Sequence, residues 1–144
     1  MKTIILVLFA GLLLVSASGP TQDKESLVGA WELVTATWQF DDTAYFPNSP
    51  HDREWKIVSE KNFVFIRQDT TDASLFFSGG GTYSFRDKVY TEHLKFTSWG
   101  TDIDDQLSYS CRFSGDTCII DGPQNMKGYW KSEWKLHEKW IRIE

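Results

Sequence analysis

Gly79-Gly80-Gly81-Thr82-Tyr83-Ser84-Phe85-Arg86-Asp87-Lys88-Val89-Tyr90-Thr91-Glu92-His93-Leu94-Lys95-Phe96 reads as two alternating strands joined by a tight turn at Arg86-Asp87. One face carries Tyr83, Phe85, Tyr90, Glu92, Leu94 and Phe96. The other carries Thr82, Ser84, Val89, Thr91, His93 and Lys95. A face of aromatics holding one carboxylate suits the inside of a ligand-binding barrel. The assignment depends on the turn, because a slip of one residue would exchange Glu92 for His93 inside. The three glycines at the head of the hairpin mark a bulge or sharp bend of the kind that closes barrels. They are not a phosphate loop, since no helix and no Lys-Ser/Thr follows them.

The same short-strand pattern recurs on either side of the hairpin. A first strand enters through Ser26–Val34 and runs toward Phe40, and Asp41–Arg53, with Pro47 and Pro50, is expected to be a loop. Glu54–Val58 and Asn62–Gln68 follow as strands, the latter alternating Phe63, Phe65 and Arg67 against Val64, Ile66 and Gln68. Thr97–Asp105 is a polar loop, Gln106–Phe113 and Asp116–Ile120 form a second hairpin, Asp121–Asn125 a turn, and Lys135–Ile143 the closing strand. With 7 Trp, 5 Tyr and 10 Phe among frequent turn signals, the chain is expected to be all-β. About eight short strands without crossover helices predict an antiparallel up-and-down barrel, with an open sandwich as the alternative.

Met1 to about Gly19 has the form of a secretory signal peptide: Lys2, an apolar run from Ile4 to Val15, then small residues. Residues 20–26 are a flexible leader and 27–144 the barrel domain, which implies a secreted protein, extracellular or periplasmic. No second apolar run reaches membrane length. The balance of 15 Lys+Arg to 20 Asp+Glu, without a basic cluster, argues against nucleic-acid partners. The chain is expected to be a monomer or weak homodimer. Cys111 and Cys118 flank a turn at Ser114-Gly115 that would set them directly opposite each other, so a disulfide is expected. Two cysteines make a poor metal site, and the three histidines lack zinc-binding spacing, so neither metal nor other cofactor is expected.

Gly29-Ala30-Trp31 resembles the Gly-x-Trp opening of lipocalins. Leu27–Val34, Tyr45–Pro50, Gly79–Tyr83, Tyr90–His93, Gly115–Thr117 and Lys135–Trp140 are similar to segments of a secreted bacterial lipocalin-like family. The resemblance implies a calycin-type barrel with Trp31 packed across its closed end. The wider superfamily carries small apolar molecules, and a few members are enzymes. This chain is shorter than a classical lipocalin, lacks the later signature motifs and holds both cysteines in one hairpin, so a standard retinoid carrier is not implied.

The expected function is binding of a small, largely apolar molecule inside the barrel. Phe63, Phe65, Tyr83, Tyr90, Phe96 and Tyr109 line the interior, and Glu92 and Arg67 hold the ligand's polar end. Glu92 with Arg67 reads equally as an internal ion pair fixing strand register. The competing class is a barrel enzyme acting on a small apolar substrate as isomerase, cyclase or hydrolase. Glu92 or His93 would then be the acid or base, Tyr90 would polarise the substrate and Arg67 would stabilise negative charge.

Overall fold

The computed structural model describes residues 25–40, 43–45, 51–72, 76–98, 100, 105–124 and 134–144. The stretch read as signal peptide lies outside them. The strands are β1 (Gly29–Phe40), β2 (Thr43–Tyr45), β3 (Asp52–Val58), β4 (Asn62–Asp69), β5 (Phe76–Arg86), β6 (Val89–Thr97), β7 (Asp105–Ser114), β8 (Thr117–Gln124) and β9 (Trp134–Arg142). All pairings are antiparallel. From β3 to β9 each strand pairs with the next in sequence, and β1 pairs with both β3 and β9. Eight strands thus close an up-and-down barrel, which leaves the main sheet no free edge. The short β2 pairs with Trp38–Phe40 at the far end of β1.

Alternation decides the faces. Along β7 the burial alternates residue by residue from Asp105, so Asp105, Leu107, Tyr109 and Cys111 face inward. The β5–β6 hairpin turns at Asp87-Lys88, one residue later than the sequence suggests, with both residues at positive φ. Two such residues define the turn whose twist suits a two-residue hairpin. The register sets Phe85 opposite Tyr90 and Tyr83 opposite Glu92, so Tyr83, Tyr90, Glu92 and Leu94 do share the inward face.

Phe96 does not. The register shifts between Gly80 and Gly81, whose partners are Phe96 and Leu94, so Lys95 is the extra residue. The bulge reverses the parity of the strand, and Phe96 lies outside, 52% exposed. The glycines allow this geometry: a Cβ on Gly81 would stand 1.9 Å from the His93 carbonyl oxygen.

Three other expectations change. Within Asp41–Arg53, expected to be a loop, Thr43–Tyr45 is strand β2 and β3 already begins at Asp52. Asp121-Gly122-Pro123 is strand, part of β8, because β9 pairs with it as far as Gln124. Pro123 is accommodated because the β7 ladder ends at Asp121. The cysteine hairpin turns at Gly115-Asp116, which pairs Cys111 with Ile120 and Cys118 with Phe113. The cysteines are therefore diagonal neighbours, not opposed ones. Their Sγ atoms lie 3.3 Å apart as two buried free thiols, so the expected disulfide is not formed.

The core runs through the barrel from Leu27, Trp31, Val58 and Phe63 to Leu94, Leu107 and Leu136. At the end where β1 begins, Trp31 Nε1 donates to the Leu27 carbonyl at 2.8 Å, and the ring packs against Phe113. The Arg142 guanidinium lies 4.2 Å over Trp31 and donates to the Val28 and Ser26 carbonyls at 2.5 and 2.6 Å. This seals one mouth with an aromatic plug and a cationic lid.

Candidate functional site

Three strands bring charge into the interior by their alternation. β3 turns Glu54, Lys56 and Val58 to one side, β6 turns Tyr90, Glu92 and Leu94, and β9 turns Leu136, Glu138 and Trp140. Lys56 Nζ meets Glu92 Oε1 at 2.8 Å, with both side chains almost wholly withdrawn from water. Trp140 Nε1 donates to Glu138 Oε2 at 2.9 Å. The Lys56 ammonium also lies over the rings of Trp140, Tyr90 and Phe63, at 4.8, 5.5 and 5.9 Å. Desolvating such charges costs several kcal/mol per ion, on the order of what good pairing returns. The cluster therefore persists only because each ion has partners.

Burial alone would drive the proton off Lys56, but Glu92, Glu138 and Glu54 outweigh it and raise its pKa. The ammonium stays charged. The carboxylates crowd around that ammonium, and the largest consequence falls on Glu54. Burial first, then the charge of Glu138, push its pKa up to about 8, with Glu92 adding to the rise and Lys56 and Arg67 opposing it. Glu138 is raised too, by burial, against Lys56 and the Trp140 N–H. Tyr90 and Tyr109 are held well above the usual phenol range by burial and by Glu92. Near neutral pH the interior thus contains an ion pair, further carboxyl groups and one of them, Glu54, retaining its proton.

The residues expected from sequence divide between two places. Tyr90, Phe63 and Tyr109 surround Lys56 and Glu92, with Tyr90 in ring contact with both of the others. Tyr83 packs edge-on to Tyr90, and its hydroxyl donates outward to the Ser59 carbonyl at 2.8 Å. Phe65 is half-buried against the core. Arg67 is inward but does not meet Glu92. It pairs with Asp52 at 2.7 Å and stacks 5.5 Å from Trp38, nearer the end where β1 finishes. Phe96 faces an outer groove with Ile57 and Val64, and so leaves the interior set. His93 points to the opposite side of β6 from Glu92, so the two do not form one acid–base pair.

Lys56, Glu54 and Glu138 are the interior residues that sequence reasoning missed. Their signal is alternation with apolar partners: Lys56 two places from Val58, and Glu138 between Leu136 and Trp140.

Among the described residues three buried polar atoms make no hydrogen bond of good geometry: Trp38 Nε1, Asp105 Oδ2 and Tyr90 Oη, the last lying beside Glu92. Such atoms are uncommon in folded proteins, and each calls for an explanation. The floor beneath Lys56, lined by Leu27, Trp31, Val58, Cys118, Ile120 and Trp140, retains a cavity of only about 10 Å³. That is room for at most about one water. Among the described residues no three His, Cys, Asp or Glu side chains form a metal-binding group, and no helix is long and apolar enough to cross a membrane.

The fold and the interior define a lipocalin-like up-and-down barrel with a filled apolar floor and a buried charged layer above it. The chain belongs to the DUF4488 family, a domain of unknown function, whose model matches residues 26–144. No curated protein matches the chain, and no solved structure does.

Proposed function

We propose that this chain is an exported carrier, monomeric or weakly dimeric, that takes a small and largely apolar molecule into its barrel above the charged layer. One observation carries the reading. The inward-facing polar atoms Tyr90 Oη, Trp38 Nε1 and Asp105 Oδ2 make no hydrogen bond of good geometry among the described residues, in an interior that combines aromatic and aliphatic walls with the charged layer. Sites for small molecules combine an apolar wall with a few such polar groups. Glu92 pairs with Lys56, which takes the role of cation that the sequence suggested for Arg67.

Native mass spectrometry of the purified protein, with an absorption spectrum of the same sample, tests this. A co-purifying small molecule, retained by wild type and reduced in Tyr90→Phe and Trp38→Phe, is the expected result. A bare protein mass that stays bare after incubation with cell extract would count against a carrier.

A further inference from the structure

The interior already holds an ammonium, and its surroundings indicate which guest the barrel suits. Lys56 Nζ is enclosed by the rings of Trp140, Tyr90 and Phe63 and touches Glu92. Aromatic faces and carboxylates are the groups that hold a cation away from bulk water. The carboxylates exceed what Lys56 can neutralise. Among the described residues the inward carboxyl groups of Asp52, Glu54, Glu92 and Glu138 outnumber the inward cations Lys56 and Arg67, and Arg67 acts on Glu54 and Glu138 as well as pairing with Asp52. In the same cluster the Tyr90 hydroxyl, on a residue only 1% exposed, lies beside Glu92 without a hydrogen bond of good geometry among the described residues.

We propose that the molecule carried is an organic cation, an ammonium group on an apolar body, with its charge set against Glu54 and its body against Trp38 and Leu136. The register supports this arrangement. Glu54 is the cross-strand partner of Arg67, Arg67 stacks on Trp38, and Trp38 is the cross-strand partner of Leu136, so the residues form one contiguous patch. The inference rests on the carrier reading above and specifies its ligand class.

Glu54 is the adjustable charge of the site. Lys56 and Asp52 flank it on its own strand, and Arg67, Glu92 and Glu138 face it from β4, β6 and β9. It keeps its proton up to about pH 8. A cation therefore binds weakly below that pH and more tightly above it, where the carboxylate forms.

The test is quenching of tryptophan fluorescence by three probes of one chain length: decyltrimethylammonium, decyl sulfate and decanol. None of them titrates between pH 6 and 9, so any pH dependence belongs to the protein. At pH 9 the ammonium is expected to bind about tenfold more tightly than the sulfate, and to lose about tenfold on going to pH 6, the effect of one partly buried charge. Glu54→Gln should abolish that pH dependence and leave decyl sulfate binding no weaker. Equal or tighter binding of decyl sulfate or decanol by wild type overturns the cation inference and leaves the carrier reading intact. Binding of none of the three overturns both. If Glu54→Gln does not fold, the comparison of cation with anion on wild type decides alone.

Discussion

Where β1 begins, Trp31 packs on Phe113, Phe113 on Phe85, and Arg142 covers the indole while filling the carbonyls of Ser26 and Val28. Where β1 finishes, Trp38 stacks on Arg67, its indole N–H makes no hydrogen bond among the described residues, and the nearby interior carries Asp52, Glu54 and Glu138. The same residue type thus does two jobs on one strand, seven positions apart. Trp31 has its donor satisfied and its ring enclosed, so it contributes stability. Trp38 makes no hydrogen bond through its indole N–H among the described residues and stands at the polar end beside Arg67.

The comparison can be broken at the layer that separates the two ends. Lys56→Met leaves Glu92 and Glu138 buried without their cation and is expected to cost about 3–5 kcal/mol in urea denaturation at pH 7. Lys56→Met combined with Glu92→Leu should recover most of that loss, because neither buried charge of the pair is then left alone. A double variant as unstable as the single one would show that packing, not pairing, sets the cost.

The two tryptophans come next. Trp31→Ala should lose about 3–4 kcal/mol by the same measurement. Trp38→Ala, from a half-buried site, should lose about 1–2 kcal/mol. Equal losses would erase the distinction between the ends.

Glu54 sharpens the comparison through pH. Its folded pKa lies above its unfolded one, so the native state binds the extra proton. The associated stability is fully present below about pH 4.5 and is lost as pH rises toward about 8. Each pH unit in that window removes at most about 1.4 kcal/mol. Glu54→Gln should flatten this decline in denaturation curves taken from pH 5 to 9, and a wild type with no decline would count against a protonated Glu54. An effect no larger than that at Trp38 is expected at the lid: Arg142→Ala should cost about 1–2 kcal/mol, with partial recovery in Arg142→Lys, read from the thermal midpoint.

Much of this architecture was legible in the sequence for a definite reason. Period-two alternation reports which face a side chain occupies, and that placed Tyr83, Tyr90, Glu92 and Leu94 together and His93 apart. It does not report depth along the barrel. Arg67 and Lys56 are both inward-facing cations on neighbouring strands, yet strand register carries Arg67 to Asp52 and Lys56 to Glu92. Nor does alternation reveal where its own count slips. The glycine run announced a bulge, but the extra residue is Lys95 on the partner strand, and Phe96 changed sides as a result. The cysteines follow the same logic: a turn displaced by one residue makes opposed positions diagonal.

Arg142 and Ser26, joined through a carbonyl, stand 116 positions apart, and the β1–β9 ladder beside them spans almost the same stretch of chain. From β3 to β9, each strand pairs with the next one in sequence. The seam between β1 and β9 alone requires the first strand to wait for the last. Loop-closure entropy grows with the length of chain between two partners, and folding slows as such distant contacts come to dominate. On these grounds hairpins such as β5–β6 and β7–β8 are expected to form before the β1–β9 seam closes, when β9 docks and Arg142 settles over Trp31.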